Sequence, residues 1–160
     1  MTTTIEREEE RVRELFERVD GVLEVAQSIE RDRPAEAEKL HKISRRALES
    51  AAPVRVQVAA NLLLVSHKTV RAWADAGVLR PTAGPRLVLD AMRLHDVLQL
   101  VHDLRAAGRG RDLRSALWAR LEDDALLQRH DLAESLEQMR RGALVPARTR
   151  DEQLADAGGR

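Results

Sequence analysis

Two short apolar-patterned stretches in the middle of the chain are separated by only three residues, and this spacing restricts the fold more than any other feature. Ser66 ends the separating segment and is a favoured helix N-cap. Gly77 follows the second stretch and is a favoured residue directly after a helix C-terminus. The pattern predicts a short helix over residues 58–63, a turn over residues 64–66 and a second helix over residues 67–76.

Small and apolar residues within these stretches fit two helices that cross closely. Ala60 leaves room for the crossing, and Val65 fills the space under the turn. Val70 and Trp73, three residues apart, share the inner face of the second helix. The segment is therefore predicted to be a helix-turn-helix, with Trp73 in its core.

Polar and basic side chains occupy the other face of the second predicted helix. His67, Lys68 and Arg71 lie near its N-terminus, the end that a recognition helix offers to base edges in the major groove. Arg71 can bind guanine through two hydrogen bonds, and Lys68 can bind guanine or phosphate. Ser66 and Thr69 can donate to phosphate at the helix N-terminus. These five residues are candidate DNA-binding residues.

A turn rich in glycine and proline follows, over residues 82–85, with short extended stretches on both sides. Two extended pieces around such a turn predict a β-wing. Arg80 and Arg86 flank it and are further candidates for contact with the minor groove or with phosphate. As lone arginines they are equally compatible with solvated surface.

The first 50 residues have a helical pattern. Apolar residues alternate at spacings of three and four from Val12 to Ile29, interrupted earlier by Glu8. We expect one helix over residues 4–31 and, after the break before Pro34, a second to about residue 51. The inward side chains of the second helix are predicted to be Ala37, Leu40, Ile43, Ala47 and Leu48. The two helices can fold on each other as a hairpin or form a dimeric coiled coil.

Helical patterns also follow the wing, over residues 91–106 and 113–127, with Trp118 as a packing residue. The predicted fold is mainly α, with a helical hairpin or coiled coil, a winged helix-turn-helix domain carrying a short β-wing, and C-terminal helices. The predicted organisation is an arm for dimerisation or partner binding over residues 1–52, the winged domain over residues 53–127, a C-terminal helix over residues 128–144 and a disordered tail over residues 145–160.

The central segment, ANLLLVSHKTVRAWADAGVLRP from residue 60, resembles the helix-turn-helix of the MerR and excisionase-like DNA-binding proteins. The resemblance is specific over residues 58–81 and extends more weakly over residues 54–127. It implies a winged helix-turn-helix that binds double-stranded DNA.

Three features depart from this family. Leu64 stands where the family has glycine, and a positive φ for leucine would cost about 1 kcal/mol, so a turn of altered shape is expected. About 50 helical residues precede the motif, and the family's long C-terminal dimerisation helix and effector domain are missing.

The charge distribution agrees with a DNA partner for the central segment. The chain has 27 basic and 27 acidic residues. Residues 53–90 nevertheless carry five basic and two acidic side chains, whereas residues 1–50 carry ten basic and thirteen acidic ones. The locally basic part of the chain therefore coincides with the predicted helix-turn-helix.

Several function classes are disfavoured by the composition. Without cysteine, disulfides and thiol catalysis are excluded. The five histidines form no close cluster, and we find no nucleophile motif or phosphate-binding loop, so we expect no enzyme, cofactor or metal site. No apolar run approaches the roughly 18 residues of a membrane span, and the N-terminus does not have the pattern of a signal peptide, so we expect a cytoplasmic protein.

The expected function is that of a homodimeric, sequence-specific DNA-binding transcriptional regulator, a repressor that includes its own promoter among its targets. One alternative is the antitoxin of a toxin–antitoxin pair, with residues 128–150 or the N-terminal hairpin binding the toxin. A further alternative is a protein–protein adaptor that acts through its N-terminal helices.

Overall fold

The computed structural model describes residues 1–123, so the helix predicted over residues 128–144 and the tail predicted over residues 145–160 lie outside the described residues. The described chain is mainly helical with a small two-stranded sheet, which confirms the mainly α prediction. Residues 1–119 form one compact unit. In chain order the elements are α1 (Thr4–Ile29), α2 (Pro34–Glu49), β1 (Val54–Arg55), α3 (Val56–Leu63), α4 (His67–Asp75), β2 (Val88–Leu89), α5 (Ala91–Ala106) and α6 (residues 113–123).

Local sequence signals account for α1. The Thr3 hydroxyl accepts a hydrogen bond from the Glu6 backbone N–H at 3.2 Å, and the Glu6 carboxylate accepts one from the Thr3 N–H at 2.6 Å. This reciprocal cap satisfies two backbone donors that the first helical turn leaves free. Arg13 pairs with Glu9 one turn away on the exposed side, at 2.7 Å. The helix ends at Ile29, two residues before the predicted end.

The helices α1 and α2 pack against each other as a hairpin through a buried stripe on each helix. The stripe of α2 contains Ala37, Ser44 and Leu48. The prediction that Ile43 points inward is wrong, since 56% of its surface is exposed. Successive helical residues are about 100° apart, so Ser44 and Ile43 cannot both face α1, and the smaller Ser44 takes the inner position.

Acidic residues near the start of α1 connect it to the elements that follow α2. The Glu8 carboxylate accepts hydrogen bonds from the Arg55 backbone N–H at 3.2 Å and lies 3.0 Å from the Arg55 Nε. The Glu9 carboxylate accepts a hydrogen bond from the Asn61 amide at 2.8 Å. Glu8, which interrupts the apolar seam in the sequence, therefore binds the edge of β1.

The sheet joins residues that are far apart in the chain. Strands β1 and β2 are antiparallel, with Val54 opposite Leu89 and Arg55 opposite Val88. On the other side of β2, Pro81 forms an isolated bridge with Leu89. Backbone hydrogen bonds link the Thr82 N–H to the Val88 carbonyl at 2.9 Å and the Asp90 N–H to the Arg80 carbonyl at 2.8 Å. Residues 80–90 thus form a hairpin, to which β1 adds.

A polar pair of the buried His95 and the partly exposed Asp20 joins α1 to α5. His95 is only 3% exposed, and its Nε2 lies 2.7 Å from the Asp20 carboxylate. The Gln99 amide donates to both oxygens of that carboxylate at 3.0 Å. The Phe16 ring packs edge-on against the imidazole, with centroids 5.1 Å apart.

The charged form of His95 is favoured in this environment. Burial disfavours it, but the negative charges of Asp96 and Asp20 and the hydrogen bond with Asp20 outweigh burial. The Asp96 carboxylate lies 4.0 Å from the His95 Nδ1. The pKa of His95 is consequently raised above its ordinary value.

Candidate nucleic-acid interface

The N-terminus of α4 is closed by its own side chains. The Ser66 hydroxyl accepts a hydrogen bond from the Thr69 backbone N–H at 3.1 Å, which makes Ser66 the N-cap as predicted. The Ser66 and Thr69 hydroxyls also lie 2.9 Å apart and share a hydrogen bond. One of the two hydroxyl hydrogens forms the hydrogen bond between Ser66 and Thr69. The other hydroxyl can therefore donate to an external acceptor such as phosphate.

The inner face of α4 is anchored by buried side chains. Val70 is fully buried, and Trp73 is 3% exposed, as predicted for a core tryptophan. The helix ends at Asp75, and Gly77 follows its C-cap with a φ of +80°, which suits glycine and few other residues. The Trp73 carbonyl accepts the N–H groups of Val78 at 2.9 Å and Leu79 at 3.2 Å, which completes the end of the helix.

Trp118 does not pack as the sequence analysis predicts. It is 43% exposed, so it lies at the surface. Its ring lies over Gly77, where an added Cβ would be 3.7 Å from the ring edge. Because Gly77 has no side chain, the indole ring can lie against its backbone, and the rest of the ring is exposed.

The outer face of α4 carries the predicted cations. His67, Lys68 and Arg71 are all exposed. Among residues 1–123, neither Lys68 nor Arg71 has a carboxylate within ion-pair distance. Asp75, at the last turn of the helix, is the acidic residue of α4. The N-terminal half of this face therefore presents positive charge without a compensating partner.

The turn between α3 and α4 has a left-handed backbone conformation at Leu64, which was not expected for leucine. Leu64 has φ 56° and ψ 44°. The Val65 N–H donates to the Ala60 carbonyl at 3.1 Å, and the Arg105 guanidinium donates to the Leu64 carbonyl at 3.4 Å. The expectation of a reshaped turn is wrong, because these contacts hold the glycine-like geometry with leucine in it. The Leu64 side chain is 77% exposed.

Basic residues of the 80–90 hairpin form a second group. Arg80 and Arg86 are both exposed, as a contact to DNA requires. Behind them, the Arg93 guanidinium donates to the Val78 carbonyl at 2.8 Å. Burial and the positive charge of Arg80 lower the pKa of Arg93 from its ordinary value.

The structure thus places the predicted residues on two elements. Ser66, His67, Lys68, Thr69 and Arg71 share the start of α4, and Arg80 and Arg86 belong to the hairpin after it. Sequence reasoning missed Arg93 and Arg105, which bring cations to the hairpin and to the α3–α4 turn. Their helical positions were predicted, but no sequence signal reports a contact across 41 residues such as that of Arg105 with Leu64.

No family model matches the chain, and neither a curated protein nor a solved structure is detectably similar to it. Among the described residues, no helix is long and apolar enough to cross a membrane.

Proposed function

We propose that the protein is a sequence-specific DNA-binding regulator that places α4 in the major groove. The observation that carries this proposal is the two-sided character of α4. Val70 and Trp73 hold the inner side against the body of the protein, while Lys68 and Arg71 stand exposed without an ion-pair partner in residues 1–123. A rigidly held helix with free cations near its N-terminus suits base reading.

The chemistry of each residue gives it a role in the proposed complex. Arg71 binds guanine through two parallel hydrogen bonds, and Lys68 binds guanine or a phosphate beside it. The free O–H of the Ser66–Thr69 pair donates to a backbone phosphate at the helix N-terminus. His67 is the first residue of α4, and in the proposed complex its ring contacts the same DNA strand as the Ser66–Thr69 pair.

The hairpin and the turn supply further phosphate contacts in this proposal. Arg80 and Arg86 project from the 80–90 hairpin, and Arg105 lies beside the turn that precedes α4. Neutralised phosphates release counterions, and each contact contributes about −0.9 to the slope of log affinity against log salt concentration. Binding should therefore weaken steeply as salt is added.

The test is selection of bound sites from random double-stranded DNA, followed by gel-shift titration of the selected site. The Lys68→Ala/Arg71→Ala variant is expected to bind that site at least tenfold more weakly, because a good bidentate base contact contributes about 1–3 kcal/mol of discrimination. The matched control, Arg31→Ala/Arg33→Ala, removes two exposed cations from the connection between α1 and α2 and should bind like the wild type. Equal, weak binding of selected and random DNA by the wild type would contradict the proposal.

The toxin-binding alternative stays a prediction, since residues 128–150 lie outside the described residues. Repression of the protein's own promoter is likewise a prediction.

A further inference from the structure

The side of the α1–α2 hairpin that points away from α3 and α5 has aliphatic side chains that no other element of residues 1–123 covers. Val25 on α1 is 52% exposed and Ile43 on α2 is 56% exposed. Half-buried aliphatic residues on each helix adjoin them. We call this set the outer face, and it consists of Val22, Val25, Ile29, Leu40, Ile43 and Ala47.

Helical geometry locates the outer face on α1. Phe16 faces α5, where its ring meets His95. Val25 follows Phe16 by nine residues, which at about 100° per residue is two and a half turns. Val25 therefore points to the side of α1 opposite to α5.

The same construction applies to α2. The two helices are joined by a four-residue connection and pack together, so they run antiparallel. Ile43 lies about 100–140° around α2 from the buried Ala37, Ser44 and Leu48. Because the chain direction is reversed, this rotation turns Ile43 to the same side of the hairpin as Val25. Leu40 and Ala47 fill the space between Ile43 and α1.

A glycine within α1 supports a close approach at this face. Gly21 lies one turn before Val25, and a Cβ added to it would meet nothing within 4 Å. Glycine inside a helix costs about 0.5–1 kcal/mol relative to alanine, and nothing in the described chain requires it here. The missing side chain leaves the α1 backbone open to a second helix.

The charges of α1 and α2 indicate which partner fits the outer face. Apart from the charged side chains that form ion pairs or hydrogen bonds with other side chains (Glu8, Glu9, Arg13 and Asp20 on α1, and the Glu38–Lys42 pair on α2), α1 has five acidic and three basic residues and α2 has two acidic and three basic ones. A second copy, related by a two-fold axis parallel to the helices, would set its α2 against α1 and its α1 against α2. This arrangement opposes net negative to net positive charge at both contacts, and the alternative of α1 on α1 opposes like charges.

We infer that the outer face binds the outer face of a second copy of this chain, with α1 of each protomer on α2 of the other, as in a four-helix bundle. This inference deepens the proposed function, on which its biological use rests, because two copies double the base contacts and fix the spacing of two half-sites. With α2 about 24 Å long and two helices side by side about 18 Å wide, the flat face measures roughly 400 Å² per copy, smaller than in a standard complex. We therefore expect weak self-association of the free protein, which binding to two half-sites on DNA strengthens.

Sedimentation equilibrium without DNA, over about 1–200 µM, tests the dimer directly. Val25→Glu/Ile43→Glu is expected to weaken self-association at least tenfold while the circular dichroism spectrum and Tm stay unchanged. Should this variant unfold, the milder Val25→Ser/Ile43→Thr replaces it. The control Gln27→Glu/Ala35→Glu adds the same charge to exposed positions of the same two helices outside the outer face, and it should dimerise like the wild type. A wild type that is monomeric throughout, or a control that behaves like the test variant, overturns the inference.

The arrangement of the helices has its own test, because the chain has no cysteine. A mixture of Val25→Cys and Ile43→Cys proteins, treated with a short bismaleimide, should give more crosslinked dimer than either protein alone. Equal yields would contradict the pairing of α1 with α2.

DNA binding then separates this inference from the proposed function. The wild type should prefer an inverted repeat of the selected site over a single half-site, and Val25→Glu/Ile43→Glu should lose that preference but keep half-site binding. If Lys68→Ala/Arg71→Ala abolishes binding while the wild type sediments as a monomer, the proposed function stands and the dimer fails. If the dimer forms and no DNA sequence is preferred, the inferred dimer is supported and the proposed function is contradicted.

Discussion

The α1–α2 hairpin and the α3–α4 pair are both made of two antiparallel or crossing helices, yet they are stabilised in different ways. The hairpin helices have 26 and 16 residues, and those of the pair have 8 and 9. Helices shorter than about 12–15 residues are marginal in isolation, so α3 and α4 depend on tertiary packing. The helices of the hairpin are also stabilised by an N-terminal cap on α1 and by ion pairs such as that of Glu38 with Lys42, one turn apart at 2.8 Å.

Burial shows the same contrast. Five of the eight residues of α3 are buried, whereas three of the 26 residues of α1 are. Together, α3 and α4 bury eight of their 17 residues, and α1 and α2 bury six of their 42. A substitution at a buried position of the pair is therefore expected to cost more than one at a typical position of the hairpin.

The largest expected effect is that of Trp73→Ala. Removal of this buried indole leaves a cavity under α4 and should lower the free energy of unfolding by about 3–5 kcal/mol. Leu15→Ala, at a half-buried position of α1, should cost clearly less. Urea unfolding monitored by circular dichroism measures both. A larger loss for Leu15→Ala would break the contrast between the two regions.

The Asp20–His95 pair, which joins the α1–α2 hairpin to α5, predicts a dependence of stability on pH. The pKa of His95 is raised in the fold, so its contribution to stability is complete below the unfolded value of about 6.5 and is lost as pH rises through the folded pKa. Asp20→Asn removes the charge beside His95 Nε2 and should shrink this loss. Removal of a charged acceptor also costs about 1.5–3 kcal/mol at low pH.

Urea midpoints of the wild type and of Asp20→Asn, taken between about pH 5.5 and pH 8.5, provide the measurement. Asp103→Asn, an exposed carboxylate on the same helix α5, is the control and should keep the wild-type profile. Identical profiles for Asp20→Asn and the wild type would show that Asp20 does not set the pKa of His95.

The smallest effect is a gain of stability in the α3–α4 turn. Leu64 is a non-glycine residue at positive φ, and its exposed side chain contributes little burial. Leu64→Gly relieves a backbone cost of about 1–2 kcal/mol and adds a chain-entropy cost of about 0.5–1 kcal/mol, so a net gain of up to about 1 kcal/mol is expected. Ala72→Gly, on the exposed side of α4, should instead lose about 1 kcal/mol. Thermal unfolding compares them, and destabilisation by Leu64→Gly would indicate that the leucine side chain has a partner.

The sequence predicted the helices well where a residue type marks their ends. Pro34 begins α2, Ser66 caps α4, and Gly77 follows it with a positive φ, all as expected from local backbone preferences. The ends of α1 and α2 fall two residues short of the predicted ones, since apolar periodicity alone does not mark where a helix stops. His67, Lys68 and Arg71 are exposed as predicted and Thr69 is partly buried, because a short amphipathic helix has only one side to bury.

The rest depends on contacts between distant parts of the chain. A two-residue strand such as Val54–Arg55 has no pattern of its own and exists because Val88–Leu89 lies beside it. The pairing of His95 with Asp20 joins residues 75 apart, and no spacing rule applies at that distance. The apolar residues of α2 form two stripes, and Ile43 is exposed because the other stripe faces inward. The spacing of the apolar residues does not show which stripe is buried.

The pairing of β1 with β2 makes residues 54–89 a closed loop. Its two ends lie on adjacent strands, about 5 Å apart, and everything proposed to touch the base edges lies between them. Substitutions confined to the exposed side of α4 leave unchanged both the strand pairing that joins these ends and the buried Val70 and Trp73 that hold the helix. Different recognition residues could therefore be placed on α4 without altering its position in the fold.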